Sequence, residues 1–195
     1  MAKPYLMIEF FENIDYKTLL FFNGKHTDWL DSLMVFFSSN WIWLPIVITF
    51  IVLIILKYKK KFWIPFFLVI ICFAITDQGS HLTKESIKRY RPTHNLELSE
   101  KVHIVNDYRG GKFGFFSGHA ANSFGLAILS LLFIKKKYYT YLLLAWAVLV
   151  SYSRIYLGVH FPSDIFVGAI FGSLIAWLLW RISLCFPTVS RMLDR

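Results

Sequence analysis

Long apolar blocks alternate with short polar stretches along this chain, and the blocks are continuous rather than amphipathic. The first clear block covers 34–56, and its 23 residues give roughly 35 Å of helix, enough for a bilayer core. Pro45 is expected to kink it, and Trp41 and Trp43 sit inside it rather than at its ends. The second block begins at Phe62 and is apolar for only 15 residues. Its helix is expected to continue through "DQGSHLTK", whose polar groups would face protein or water. The third block is 118–134, and the fourth is 138–150, running on to Ile155. The fifth is 163–180, where Gly168 and Gly172 form a G-x-x-x-G pair that permits close helix contact.

Residues 5–22 differ, because Glu9, Glu12, Asp15 and Lys17 interrupt an aromatic and apolar run. That pattern predicts an amphipathic helix at the membrane interface. Asp31 or Ser32 is the expected cap of the helix that follows. The reading is therefore all-α. It is a polytopic membrane bundle of five spanning helices plus an N-terminal interfacial or re-entrant helix, six if that one is counted. Residues 1–195 read as a single integral membrane domain.

Composition supports a membrane solvent over water. The 195 residues are 56% hydrophobic and 17% charged, leaving too little polar surface for a soluble bundle. The formal charge of +9 is read first as the lysine and arginine of cytoplasmic membrane-protein loops rather than as nucleic-acid binding, because lysines cluster at 57–61 and 135–137 between apolar blocks; the remaining basic residues need another account. Cys72 and Cys185 make no metal or disulfide pattern. The N-terminus lacks the form of a cleavable signal peptide.

Placing both lysine clusters in the cytoplasm sets the topology. The polar loop 84–117 and the stretch 154–163 then fall together on the outer face. This predicts a cell inner (cytoplasmic) membrane protein with its site facing the periplasm or exterior. The outer loop is itself basic, against the simple charge rule, and an inverted chain is the alternative. A loop as long as 84–117 reads as functional, an outer-face active-site loop.

Three clusters converge there: "KESIKRYRP", "FSGH" and "SRIYLGVHFPSD". Lys84, Arg91 and Arg154 suit the oxygens of a phosphoryl group; snorkelling to lipid phosphates is the plainer alternative. Ser117 and Gly118 precede a helix, where a hydroxyl and free N–H groups bind an anion or simply cap. His119 could donate a proton to a leaving oxygen or make an ordinary polar contact. His160 and Asp164 are four apart and can meet near a helix start, as a nucleophile and its orienting carboxylate. A metal ligand with its partner is the other reading of that pair. Two histidines and one aspartate make a thin metal site, and three basic neighbours would repel a cation.

The three clusters resemble the signatures of the membrane-bound type 2 phosphatidic acid phosphatase (PAP2) superfamily: K-x6-R-P, P-S-G-H and S-R-x5-H-x3-D. The first is intact from Lys84 to Pro92 and the third from Ser153 to Asp164; Phe116 replaces the usual proline in the second. The first 80 residues carry no signature. The resemblance implies that His160 forms a phosphohistidine, Asp164 orients it, and His119 protonates the leaving group and then activates water. It implies a phosphate clamp of Lys84, Arg91 and Arg154, assisted by Ser117 and Gly118, with no metal or cofactor. Expected partners are a lipid phosphate and membrane lipids, with no nucleic acid and no stated oligomer.

Undecaprenyl diphosphate is the first-choice substrate. The alternatives are phosphatidylglycerophosphate or lipid A, acted on by a phosphatase or phosphotransferase, and a non-enzymatic lipid-phosphate transporter. Lys88, Arg89, Arg109 and Lys112 lie outside the motif positions and are read as facing anionic lipid rather than a second phosphate. His81 is a candidate to face the site, and Asp77 and Asn122, in spans near the outer end, to support it from just behind; His26, His94 and His103 read as solvated loop residues.

Overall fold

A central helix, α5 (Gly118–Ile134), organises the bundle by packing against four others. These are α3 (Trp43–Tyr58), α4 (Trp63–Ile87), α6 (Lys137–Tyr156) and α7 (Pro162–Ser183). The computed structural model describes residues 4–193. Before these lie α1 (Pro4–Asn23) and α2 (Asp28–Ser38), and α8 (Pro187–Leu193) is the last helix among the described residues.

Close packing of α7 on α5 follows from its two glycines. A Cβ at Gly168 would lie 2.5 Å from the Ser117 carbonyl oxygen, and one at Gly172 only 1.9 Å from that of Ala121. Backbone oxygens cannot step aside, so these positions require glycine at this approach. The contact brings the start of α7 beside the start of α5, and the Ser117 N–H donates to the Asp164 carbonyl oxygen at 3.0 Å.

The solvent-side pattern is inverted relative to a water-soluble protein. Leu44, Ile48, Val52 and Leu56 of α3 are exposed, as are Phe67, Ile70 and Ile71 of α4 and Phe166, Ile170 and Trp177 of α7. Continuous apolar surface of this kind is solvated by lipid. Among the described residues, three segments are long and apolar enough to cross a membrane: Asn40–Lys61, Trp63–Ile87 and Pro162–Ser183. Gly118–Ile134 is apolar but shorter, and it is buried along most of its length by its neighbours.

The expected single helix over 34–56 is broken. α2 ends at Ser38, a 3₁₀ turn spans Asn40–Ile42, and α3 starts at Trp43. Pro45 therefore lies in the first turn of α3, where its missing N–H costs no helical bond, rather than in the interior of a longer helix. Trp41 is exposed beside the break, while Trp43 packs edge-on against Trp146 with ring centroids 4.7 Å apart. The cap of α2 is Thr27, not Asp31 or Ser32. Asp31 lies inside the helix and accepts from the Tyr156 hydroxyl at 2.5 Å.

The two lysine clusters meet at one end of the bundle. Lys57 Nζ donates to the carbonyl oxygens of Phe133 and Ile134 at 2.7 and 3.1 Å, satisfying the end of α5 next to Lys135. The end of α4, the start of α5 and the start of α7 lie at the other.

There the loop after Ile87 folds back as a cap. Tyr90 and Phe113 form an antiparallel bridge, with Arg91 N–H donating to Lys112 O at 3.1 Å and Gly114 N–H to Arg89 O at 2.9 Å. Leu98 and Val102 bury against Leu19 of α1 and Phe161, and Val105 against Met34 of α2 and Tyr156. Helix α1 docks on α6 and α7. Its Phe10, Phe11 and Phe21 are exposed, but Asp15 is buried on the inner side rather than facing solvent.

Candidate active site

A cavity of about 600 Å³ opens at that end, and its wall includes Lys84, Arg91, Gly118, His119, Arg154 and His160. Six of the eight residues singled out in the sequence thus share one wall, though they span three motifs. Ser117 and Asp164 stand behind it, fully buried.

His160 lies in the turn between α6 and α7, 1% exposed. Its Nδ1 is 3.4 Å from Asp164 Oδ2. Pro162 opens α7 and Asp164 follows in the first turn, where Oδ2 also accepts the Phe161 N–H at 3.0 Å. The carboxylate therefore fixes both the helix start and the imidazole. Burial first, then the charges of Arg91, Arg154 and Lys84, hold the His160 imidazole well below its ordinary pKa. A neutral ring with Nδ1 turned to the carboxylate keeps Nε2 available as a nucleophile.

The cations are held by their surroundings. Arg91 Nε donates to Phe113 O at 3.1 Å and Nη1 to Val159 O at 3.2 Å. Burial and the neighbouring Arg154 bring its pKa down to about 10, still fully charged at neutral pH. Gly110 makes room for this side chain: its φ is +65°, and a Cβ there would lie 2.8 Å from Arg91 Nη1. Arg154 donates through Nη1 to Ser38 Oγ and through Nη2 to Tyr108 OH at 3.0 Å. Its buried Nε has no partner among the described residues, a donor left over beside the cavity. Burial pushes the Tyr108 phenol up in pKa, but Arg154 and Arg91 outweigh it and leave the net shift downward. Lys84 enters from the last turn of α4.

Ser117 caps α5, with its Oγ accepting the Ala120 N–H at 3.4 Å, so its hydroxyl serves the helix rather than the cavity wall. Gly118 and His119 form the first turn and do face the cavity. The "FSGH" turn is held without a proline. Ser80 Oγ donates to Phe116 O at 2.9 Å, Thr83 Oγ1 to Phe115 O at 3.2 Å, and the Phe116 ring packs 4.9 Å from that of Phe171.

Asp77, His81 and Asn122 all join the wall, and Asn122 Nδ2 donates to Asp77 Oδ1 at 2.8 Å. Arg89, expected from its position outside the motif to face anionic lipid, instead turns inward. It donates to Asp164 Oδ1 and Asp15 Oδ2, each at 2.7 Å. His103 is not a solvated loop residue either; it pairs with Asp31 at 2.8 Å and stacks on His26. Lys88 and Lys112 are exposed, as is Arg109, whose Nη1 also donates to Thr93 O at 3.4 Å. Asp15, Tyr108, Ser38 and Trp43 are site neighbours that the sequence reading does not single out. Only Asp15 carried a signal, as an acid within an apolar helix.

Comparison with known proteins places these residues in context. The family model described as "PAP2 superfamily" matches residues 61–185. The Lipid A 4'-phosphatase of Bacteroides thetaiotaomicron is 38% identical over 181 residues, covering 91% of this chain and 80% of that protein. The protein of the same name from Porphyromonas gingivalis is 34% identical, covering 91% and 76%. The Undecaprenyl-diphosphatase of Sulfolobus acidocaldarius is 29% identical, covering 90% and 77%. Among solved structures, a transmembrane PAP2-type phosphatidylglycerolphosphate phosphatase from Bacillus subtilis superposes with a TM-score of 0.69. It has 24% identity and covers 94% of this chain and 96% of that one, a likeness of fold.

Proposed function

The chain belongs to the PAP2 superfamily as a membrane lipid phosphatase, and from that premise we propose that it removes a phosphate from a lipid A-type glycolipid through a phosphohistidine at His160. The shared cavity wall of His160, His119, Lys84, Arg91 and Arg154 carries the chemistry. His160 Nε2 attacks phosphorus while the bond to the lipid oxygen breaks, and His119 gives that oxygen its proton. His119 then takes a proton from water, whose oxygen attacks phosphorus and breaks the N–P bond. Inorganic phosphate leaves and His160 is restored. Asp164 keeps the Nδ1 proton in place, and the three cations hold the negative charge that spreads over the phosphoryl oxygens. The Gly118 backbone at the α5 start assists; Ser117 supports that turn from behind.

Similarity favours this lipid over undecaprenyl diphosphate. Both relatives named for lipid A stand at 34% identity or above, against 29% for the relative named for the diphosphate. The whole chain acts as one membrane domain of five crossings with α1 at the interface, and 84–117 forms the cap over the site. The paired lysine clusters support a cytoplasmic lower end, which puts the site on the periplasmic or outer face of the inner membrane.

The test is phosphate release in detergent with EDTA present, offering lipid A 4'-phosphate, undecaprenyl diphosphate, phosphatidylglycerophosphate and phosphatidic acid side by side. Lipid A is expected to give the highest kcat/KM. A higher value for any other lipid would overturn the substrate reading.

A further inference from the structure

Along α4, Asp77, His81 and Lys84 follow one another at i, i+4 and i+7, so they share one helix face. All three line the catalytic cavity. Lys84 belongs to the cationic end, at the last turn of the helix. Asp77 lies seven residues earlier, roughly 10 Å deeper at about 1.5 Å per residue. Phe73, a turn deeper again, lines the same cavity with Trp43 of α3. From the mouth inward the wall therefore runs cationic, then polar with one carboxylate, then aromatic.

The middle layer is organised. Asn122 Nδ2 donates to Asp77 Oδ1 at 2.8 Å, and Asn122 Oδ1 accepts from the Thr76 hydroxyl. Asp77 Oδ2 has no side-chain partner among the described residues. A Cβ built on Gly118 would lie 3.8 Å from Asp77 Oδ1, so the carboxylate stands beside the turn that carries His119.

We propose that Asp77 and Asn122 form a subsite for the hydroxyls of the sugar that bears the scissile phosphate. The inference rests on the glycolipid reading above and names the groups that would select such a substrate. A carboxylate in a phosphate-handling cavity repels any second phosphate next to the first, which disfavours a diphosphate. It accepts strongly from hydroxyl groups, which a sugar supplies and a fully esterified glycerol does not. Trp43 and Phe73 add apolar surface to the wall beyond the carboxylate, on the side where acyl chains would lie. The depth order of the wall matches the order of groups in the substrate: phosphate, sugar, acyl chains.

The experiment compares kcat/KM for lipid A 4'-phosphate and for phosphatidic acid in wild type and Asp77→Asn. The ratio is expected to fall about ten-fold or more in the variant, the loss associated with a hydrogen bond to a charged group. A ratio that stays within about two-fold of wild type would overturn the subsite. A wild type with no preference for lipid A would instead overturn the substrate reading, whatever the variant does. A measurement without any variant covers the case of poor folding. Glucosamine 4-phosphate is expected to inhibit wild-type turnover of the fastest lipid at lower concentration than ethyl phosphate, which carries no hydroxyl beside its phosphate; equal inhibition would overturn the subsite.

Discussion

Arg89 Nη1 lies 2.7 Å from Asp164 Oδ1, and through Nη2 the same guanidinium reaches Asp15 Oδ2 of α1, also at 2.7 Å. Ser163 joins them, donating its N–H to Asp15 Oδ1 at 2.9 Å. The carboxylate that orients His160 is thus tied to the N-terminal helix, a segment outside the three motifs.

Removing Arg89 leaves Asp164, with a side chain 0% exposed, short of its cation. Arg89→Ala is expected to lower kcat about ten- to hundred-fold with a smaller change in KM, because substrate binding rests on other cations. Arg89→Lys should recover part of the loss. Steady-state kinetics check this, and a variant with raised KM and unaltered kcat would contradict the positioning role.

The α5–α7 contact makes a separate prediction about stability. Gly172→Ala sets a Cβ against the Ala121 carbonyl oxygen and is expected to cost about 1–3 kcal/mol or more, seen as a lower Tm in detergent. Gly111→Ala meets nothing within 4 Å and serves as the comparison. Equal Tm values for the two variants would contradict the close packing.

Much of this was legible in the sequence, for physical reasons that differ by element. Helix α5 begins and ends where its apolar block does, since Ser117 caps it and the lysines stop it. The G-x-x-x-G pair read correctly because small residues leave few other uses in a membrane helix. The break between α2 and α3 was hidden, because Ser39 and Asn40 are too few to interrupt an apolar average. Arg89 was misread because its role depends on Asp15, 74 residues away, which no local pattern connects to it. Tyr108 and Trp43 gave no signal, since aromatic residues abound throughout this chain.

Acidification should destabilise the fold through His160. The folded imidazole is held well below its ordinary pKa by burial and by Arg91, Arg154 and Lys84, whereas the unfolded one titrates near about 6.5. Below that pH the unfolded chain binds a proton that the folded chain refuses, so stability falls as pH drops. The slope is at most about 1.4 kcal/mol per pH unit. Tm measured from about pH 7.5 down to about pH 5.5 is expected to fall less steeply for His160→Gln than for wild type. Identical slopes would show that His160 does not contribute.

Orientation is checked by labelling single cysteines in intact cells, after both native cysteines are replaced. Leu96→Cys, 98% exposed in the cap, is expected to react with a membrane-impermeant maleimide, and Lys60→Cys only after the membrane is broken. The reverse pattern would place the site in the cytoplasm.

The central claim is a covalent bond between His160 and phosphorus. The most direct measurement is to mix wild type with substrate in EDTA, quench in base to preserve phosphohistidine, and sequence the peptide spanning 155–181 by mass spectrometry. The account predicts one added phosphoryl group on His160, absent in His160→Ala. Turnover with phosphate on another residue, or undiminished turnover by His160→Ala, would contradict it.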